Sequence, residues 1–177
     1  MRLVMLDTET TGLLPKRGDR IIEIGAIEVV ERVMRCGDDH VFHHYINPEC
    51  NIRPEVVSIH GIDNAKVANK PVFREIAQDF LDFIDEATLV IHNTPFDLGF
   101  INNELRLSGF PSIDHMPVID SLSLARKKHP NELNNLDALC DRYRINRNRR
   151  SLHGALIDAE LLAEVYMCLT GGVSSQA

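Results

Sequence analysis

The sequence predicts an α/β fold in which a mixed sheet is covered by helices on both faces. Three β-rich apolar runs with short connections fill the first third of the chain, which favours antiparallel pairing between them. Helical periodicities then alternate with two further short apolar runs. This order of elements is typical of a mixed sheet. The 177 residues are enough for one domain with a substantial core.

Five strands are predicted. The first covers residues 2–9, and the second covers residues 20–32, where isoleucine and valine dominate. The third opens at residues 38–39, continues through residue 46 and ends before Pro48. The short apolar runs at 89–92 and 116–119 give the fourth and fifth strands.

Apolar residues at helical spacing predict the helices. We expect them at residues 71–84, 96–107, 121–128, 135–143 and 154–169. Together these elements define one domain over residues 1–170. Residues 171–177 are rich in Gly and Ser and are expected to be a linker-like tail.

Composition excludes several classes of protein. The chain has no apolar run near the ~18 residues of a membrane span and no cleavable signal pattern. Its four cysteines form no C-x-x-C pair, which disfavours a zinc knuckle or a disulfide framework and favours the cytoplasm. The net charge of −7 excludes a general basic surface for DNA. A nucleic-acid substrate would therefore be held by local contacts and metal.

Two carboxylates end the first strand. Asp7 and Glu9 point to one face, because strand side chains alternate, while Thr8 points to the other. Two anions at the end of a buried strand are unfavourable unless a cation or a raised pKa relieves them. Divalent metals prefer such oxygen ligands. Asp7 and Glu9 are therefore predicted to supply part of the ligands of a metal site.

Asp97 leaves two interpretations open. It could complete a capping box at the start of a helix, with Thr94 as the N-cap and Pro95 in the first turn. It also follows the end of a buried strand, where open α/β sheets place ligand crevices. A carboxylate in this position could serve both roles.

Asp158 lies on the apolar side of the last helix, nearly opposite Glu160 and Glu164. A core-facing acid needs a partner. A buried arginine or a backbone donor is one kind of candidate, and a metal shared with Asp7 and Glu9 is the favoured one. His153 must reach the same cleft from the preceding loop, where a histidine beside a metal-bound water is a candidate general base.

Five arginines lie between Arg142 and Arg150. They form either a solvated face or a rim that tracks the phosphates of a nucleic acid. The sequence leaves both interpretations open.

A family resemblance joins these residues. Asp7-x-Glu9, Asp97 after His92-Asn93, and His153-x-x-x-x-Asp158 resemble the DEDD superfamily of 3′→5′ exonucleases, histidine subtype (DEDDh). The stretches at 21–26, 60–62, 120–122 and 136–140 extend the likeness over residues 2–172, and it is closer still to the proofreading epsilon subunits of bacterial DNA polymerase III. The resemblance implies a ribonuclease-H-like mixed five-stranded sheet whose first three strands are antiparallel.

The resemblance also implies a catalytic set. Two divalent ions, Mg²⁺ or Mn²⁺, would be bound by Asp7, Glu9, Asp97 and Asp158, with His153 as the base. Residues implied to contact the terminal nucleotide are Glu9, Thr10, Thr11, His60, His92, Asn93 and Phe96.

The activity implied is removal of nucleotides as 5′-monophosphates from DNA 3′ ends, as proofreading for a replicative polymerase. The implied partners are a single-stranded or frayed DNA 3′ end, the polymerase III catalytic subunit through a C-terminal segment beyond this sequence, and a small accessory subunit, with no membrane. A stand-alone exoribonuclease or oligonucleotide-trimming enzyme is the alternative. A non-catalytic binding module is a third hypothesis, and it is disfavoured because all four acids and the histidine are present.

Overall fold

A six-stranded mixed sheet forms the centre of the protein in a computed structural model, which describes residues 1–171. The strands are β1 (Arg2–Thr10), β2 (Ile21–Val30), β3 (Val33–Met34), β4 (Val41–Tyr45), β5 (Thr88–Ile91) and β6 (Val118–Asp120). The helices are α1 (Pro54–His60), α2 (Asn64–Val67), α3 (Phe73–Ile84), α4 (Thr94–Ser108), α5 (Ser121–Lys128), α6 (Leu136–Arg142) and α7 (Ala155–Leu169). Two 3₁₀ turns lie at Pro15–Arg17 and Asp38–His40.

The sheet order is β3-β2-β1-β5-β6, and β4 pairs with the same outer edge of β2 as β3 does. β1 and β4 are antiparallel to β2, whereas β5 and β6 run parallel to β1. The predicted mixed sheet with three antiparallel strands is therefore confirmed. The count of five strands was one short, because Glu31 and Arg32 take left-handed φ angles and turn the chain into the two-residue β3.

The predicted helices are confirmed within about two residues at their ends. The short helices α1 and α2 were not predicted, because seven and four residues are too few to show a helical period. They cover a small apolar cluster of Ile22, Ile52, Ile62 and Val67. This cluster places the C-terminal end of α1 beside the end of β1, where the acids lie.

Helices cover the sheet on both faces. Val4 and Leu6 of β1 face α3 and α4, whereas Leu3 and Met5 face α7. Asp7 and Glu9 continue the odd-numbered face, so they point towards α7. Gly25 pairs with Asp7 across the sheet, and a Cβ there would lie 2.3 Å from the Leu156 backbone nitrogen. Only glycine lets the start of α7 come this close to β2, and this contact brings Asp158 to the end of β1.

Within residues 1–171, every helix is too short or too polar to cross a membrane. The predicted tail falls mainly on residues 172–177, which lie outside the described residues.

Candidate active site

The site is built at the carboxyl end of β1. Asp7 and Glu9 are partly buried there, on the same face as predicted. Across the antiparallel pair, Glu9 faces Glu23 of β2, which is 3% exposed and bonded to His43 at 2.8 Å. Glu23 therefore forms a local pair with His43. It adds a fifth carboxylate, because its charge raises the pKa of both Asp7 and Glu9.

Asp97 reaches the same place from α4. It is 3% exposed, and it accepts hydrogen bonds from the Thr8 backbone nitrogen (3.1 Å) and the Thr8 hydroxyl (2.7 Å). The capping-box interpretation is wrong: α4 starts after Asn93, whose φ is 73°, and the Asn93 side chain accepts no capping hydrogen bond. Asp97 is therefore the fourth residue of the helix, one position after the third residue, whose side chain would complete a capping box. Its contacts join α4 to β1 beside Asp7.

Asp158 lies in the first turn of α7 and is 4% exposed. Glu9, His153 and Asp158 each offer a ligand atom within 4.8 Å of the other two. His153 precedes the helix in a loop, as predicted, with its side chain 46% exposed and its Nδ1 3.4 Å from Asp158 Oδ2. Two separate stretches of chain, the end of β1 and the segment from His153 to Asp158, thus converge on one point. Asp7 and Asp97 adjoin this group without belonging to it.

A buried cation lies among these acids. The Arg150 side chain is 5% exposed, with Nε 2.6 Å from Asp158 Oδ1 and Nη2 3.0 Å from Asp158 Oδ2. Its Nη1 pairs with Asp137 of α6, and its Nη2 also contacts His153. A buried arginine was one of the alternative partners predicted for Asp158, and the structure contains it. Loop residues carry no periodicity, so nothing in the sequence marked Arg150 among its four neighbours.

Burial and mutual repulsion dominate the electrostatics of the site. Burial raises the pKa of Glu9 to about 8, helped by the charges of Asp158 and Glu23. The pKa of Asp7 is also raised well above its ordinary value, first by burial and then by Asp97 and Asp158. Burial raises the pKa of Asp97 to about 7 against the opposing effect of the Thr8 bonds. Burial raises the pKa of Asp158 as well, although Arg150 and His153 oppose it.

These residues fit a divalent metal ion. Carboxylate oxygens are the ligands that Mg²⁺ and Mn²⁺ prefer. Asp158 Oδ1 is buried and has no hydrogen-bond donor within the described residues, because the nearby Arg150 N–H is poorly aligned with it. A buried anion without a donor is costly. Arg150 alone therefore leaves the charge of these carboxylates incompletely compensated, and a divalent cation would complete the compensation.

Three of the predicted nucleotide contacts adjoin the acids. Thr10 and Thr11 follow Glu9 in the chain, and both are buried. His60 ends α1, is 6% exposed and accepts a hydrogen bond from the Ile62 backbone nitrogen through Nδ1. Its Nε2 is buried without a partner among the described residues. The backbone nitrogen of His153 donates to Ile59, so the α1 end and the histidine loop are in contact.

The other three predicted contacts lie at the β5 end. His92 uses both ring nitrogens, on the Ser121 hydroxyl (2.9 Å) and the Asn134 carbonyl (2.8 Å). It therefore has none left for a nucleotide, and we assign it a structural role. Asn93 is exposed, and Phe96 packs against Phe100. The structure leaves these last two as predictions.

Most of the arginine run is paired with acids of this chain. Arg142 contacts Glu132, Arg147 contacts Asp137 and Asp141, and Arg149 contacts Glu160 and Glu164. These pairs are largely exposed. Most of these arginines therefore form a solvent-exposed surface, whereas the Arg150 side chain is buried in the site.

The sequence of the chain matches the exonuclease family over residues 4–166. It is 50% identical to DNA polymerase III subunit epsilon of Rickettsia prowazekii, over 99% of this chain and 76% of that protein. It is 46% identical to DNA polymerase III subunit epsilon of Escherichia coli K12, over 99% of this chain and 74% of that protein.

Solved structures with this fold include exonuclease X in complex with 5′ overhanging duplex DNA. That match has a TM-score of 0.75 and 25% identity, and it covers 98% of this chain and 95% of the other. The nuclease domain of 3′hExo, a DEDDh member bound to rAMP, matches with a TM-score of 0.80 and 19% identity, over 96% and 92% of the two chains. The likeness to 3′hExo confirms the ribonuclease-H-like fold.

Proposed function

This chain belongs to the exonuclease family that contains the DNA polymerase III epsilon subunits, and from that premise we propose that its acidic centre removes terminal nucleotides from DNA 3′ ends by metal-dependent hydrolysis. The protein is a 3′→5′ exonuclease of the proofreading type. The observation that carries the assignment of the centre is that Glu9, His153 and Asp158 each offer a ligand atom within 4.8 Å of the other two. Partly buried Asp7 and buried Asp97 lie beside them.

We assign the metal ligands to the four acids. Asp7, Glu9 and Asp158 would hold one divalent ion, Asp7 would also contact a second, and Asp97 would complete the set. We propose Mg²⁺ or Mn²⁺, since both accept carboxylate oxygens. When bound, such ions stabilise charge on the phosphate and make water a better nucleophile.

His153 is proposed as the general base. Its ring is half exposed and lies 3.4 Å from Asp158, so it can reach a water at the mouth of the centre. Asp158 orients the ring and stabilises the proton that it accepts. The Thr8 bonds fix the position of Asp97, and burial of the acids keeps bulk water from competing.

Thr10, Thr11 and His60 are proposed to contact the terminal nucleotide beside the acids. The unpartnered Nε2 of His60 supports this role, because a buried N–H without an acceptor is costly and a nucleotide oxygen would satisfy it. We further propose a cytoplasmic replicase as the setting, with the polymerase III catalytic subunit and a small accessory subunit as partners. Both homologues named above are subunits of a bacterial DNA polymerase.

The test compares wild type, Asp7→Asn and Asp79→Asn on a DNA primer with a mispaired 3′ end. Asp79→Asn is the matched control, because Asp79 is exposed on α3. We expect Asp7→Asn to lose Mn²⁺-dependent release of 5′-monophosphates and the control to keep it. Full activity in Asp7→Asn would refute the centre. Faster cleavage of an RNA oligomer than of the mispaired DNA would favour the exoribonuclease alternative.

A further inference from the structure

Arg150 is the cation in closest contact with the catalytic acids. Its guanidinium lies against both oxygens of Asp158, at 2.6 and 3.0 Å, and also touches His153. Attraction to Arg150 also opposes the rise in the pKa of Glu9 that burial and the neighbouring acids cause, so the charge of Arg150 reaches β1 as well. An arginine that is 5% exposed among acids has given up most of its hydration, which a chain tolerates only when the partners compensate. The position of Arg150 therefore depends on its ion pairs with Asp158 and Asp137.

The same contact is incompatible with metal binding by Asp158. A carboxylate oxygen that faces a guanidinium at 2.6–3.0 Å has no room for a dication on the same side, and the two positive charges would repel each other. Asp137 offers the guanidinium another place. It pairs with Nη1 and its side chain is 40% exposed, so it lies towards solvent from Asp158.

We propose that Arg150 is an internal counter-ion that holds Asp158 and His153 in place before metal binds, and that a divalent metal ion displaces it from Asp158 while Asp137 retains it. Arg150 is thus a positioning residue, and its exchange with metal makes assembly of the centre a two-state event. The proposal rests on the metal centre proposed above.

The chain contains a matched control. Arg149 precedes Arg150 and carries the same charge, but it lies outside the centre, where it pairs with Glu160 and Glu164 at 3.3 Å. Arg150→Gln and Arg149→Gln therefore remove the same charge from adjacent positions. Any effect of net charge alone will appear in both variants. An effect of the exchange will appear in Arg150→Gln alone.

Calorimetric titration with Mn²⁺ measures the exchange directly. Removing the competing cation should tighten Mn²⁺ binding by Arg150→Gln roughly tenfold, because a hydrogen bond between charged groups is worth about that factor. Arg149→Gln should change the dissociation constant less than about twofold, as expected of an exposed pair. Equal or weaker Mn²⁺ binding by Arg150→Gln than by wild type would overturn the proposal.

A second measurement needs no variant and so does not depend on one folding. Phenylglyoxal modifies accessible guanidinium groups, and peptide mass spectrometry reports each arginine separately. In EDTA, Arg150 should be protected and the half-exposed Arg149 should react. Saturating Mn²⁺ should raise the labelling of Arg150 severalfold and leave Arg149 unchanged. Labelling of Arg150 that stays low in Mn²⁺-saturated protein would overturn the exchange.

The two proposals fail differently. A wild-type protein that binds no Mn²⁺ refutes the metal centre and the exchange together. Mn²⁺ binding that requires Asp7 but is indifferent to Arg150→Gln refutes the exchange alone and leaves the exonuclease centre standing.

Discussion

Replacing Glu9 by Gln should change how the stability of the metal-free protein depends on pH. In the folded protein the pKa of Glu9 is raised from 4.5 to about 8. Below pH 4.5 both the folded and the unfolded chain hold the proton, so Glu9 has no effect. Between pH 4.5 and 8 the unfolded chain releases the proton and the folded protein keeps it, so the free energy of unfolding falls as pH rises. Above pH 8 the full cost is present.

The size of this effect follows from the shift. Each pKa unit corresponds to about 1.4 kcal/mol, so the change from 4.5 to about 8 amounts to about 5 kcal/mol as an upper value. The neighbouring acids share part of it, because the charges of Asp158 and Glu23 help to raise the pKa of Glu9. Domains of this size have a total stability of about 5–15 kcal/mol. The metal-free protein should therefore be markedly less stable at pH 8 than at pH 5.

Urea unfolding in EDTA at several pH values between 5 and 8 measures this. Glu9→Gln should lose less stability over that range and be more stable than wild type at pH 8, because Gln carries no charge. Glu164→Gln is the control: Glu164 is on the outer face of α7 and pairs with Arg149, so its pH dependence should match wild type. If the free energy of unfolding falls equally with pH in Glu9→Gln and in wild type, the buried charge of Glu9 does not cause the loss of stability.

Three further outcomes can be checked on the same protein. His153→Ala should lower kcat by ~10²–10⁴ and recover in part at higher pH if His153 is the base; a change in KM alone would make it a substrate contact. Mn²⁺ at about 100 times its dissociation constant should add about 2.7 kcal/mol to the stability of wild type, and an unchanged melting temperature would argue against a metal cluster. Thr8→Val should cost about 1–3 kcal/mol, since it removes the 2.7 Å bond to buried Asp97; a variant as stable as wild type would show that this bond is dispensable.

The parts of the site that the sequence predicted are those set by a regular period. Alternation along a strand placed Asp7 and Glu9 on one face, and the 3.6-residue period placed Asp158 on the core side of α7. Both conclusions need only local geometry. The acids of these two distant segments could then share one metal ion only if the segments come together in the fold.

The parts that escaped prediction depend on contacts between segments. Asp97 resembles a helix cap in sequence, but Asn93 adopts a left-handed conformation that shifts the helix start and frees Asp97 for Thr8. Arg150 stands among four similar arginines, and only the packing of α6 against α7 selects it for Asp158. Neither choice is visible in a local window of sequence.

The centre concentrates buried acids, and their mutual repulsion lowers the stability of the folded protein. Asp7, Glu9, Asp97 and Asp158 meet with Arg150 as their buried cation, and burial raises the pKa of all four acids. A metal-free protein must therefore keep protons on some of them, whereas a dication lets them ionise. The repulsion that lowers stability and the affinity for metal are two consequences of the same arrangement. A variant that removes an acid should relieve the repulsion and weaken metal binding, whereas a variant that removes Arg150 keeps all four acids in the chain and should strengthen metal binding.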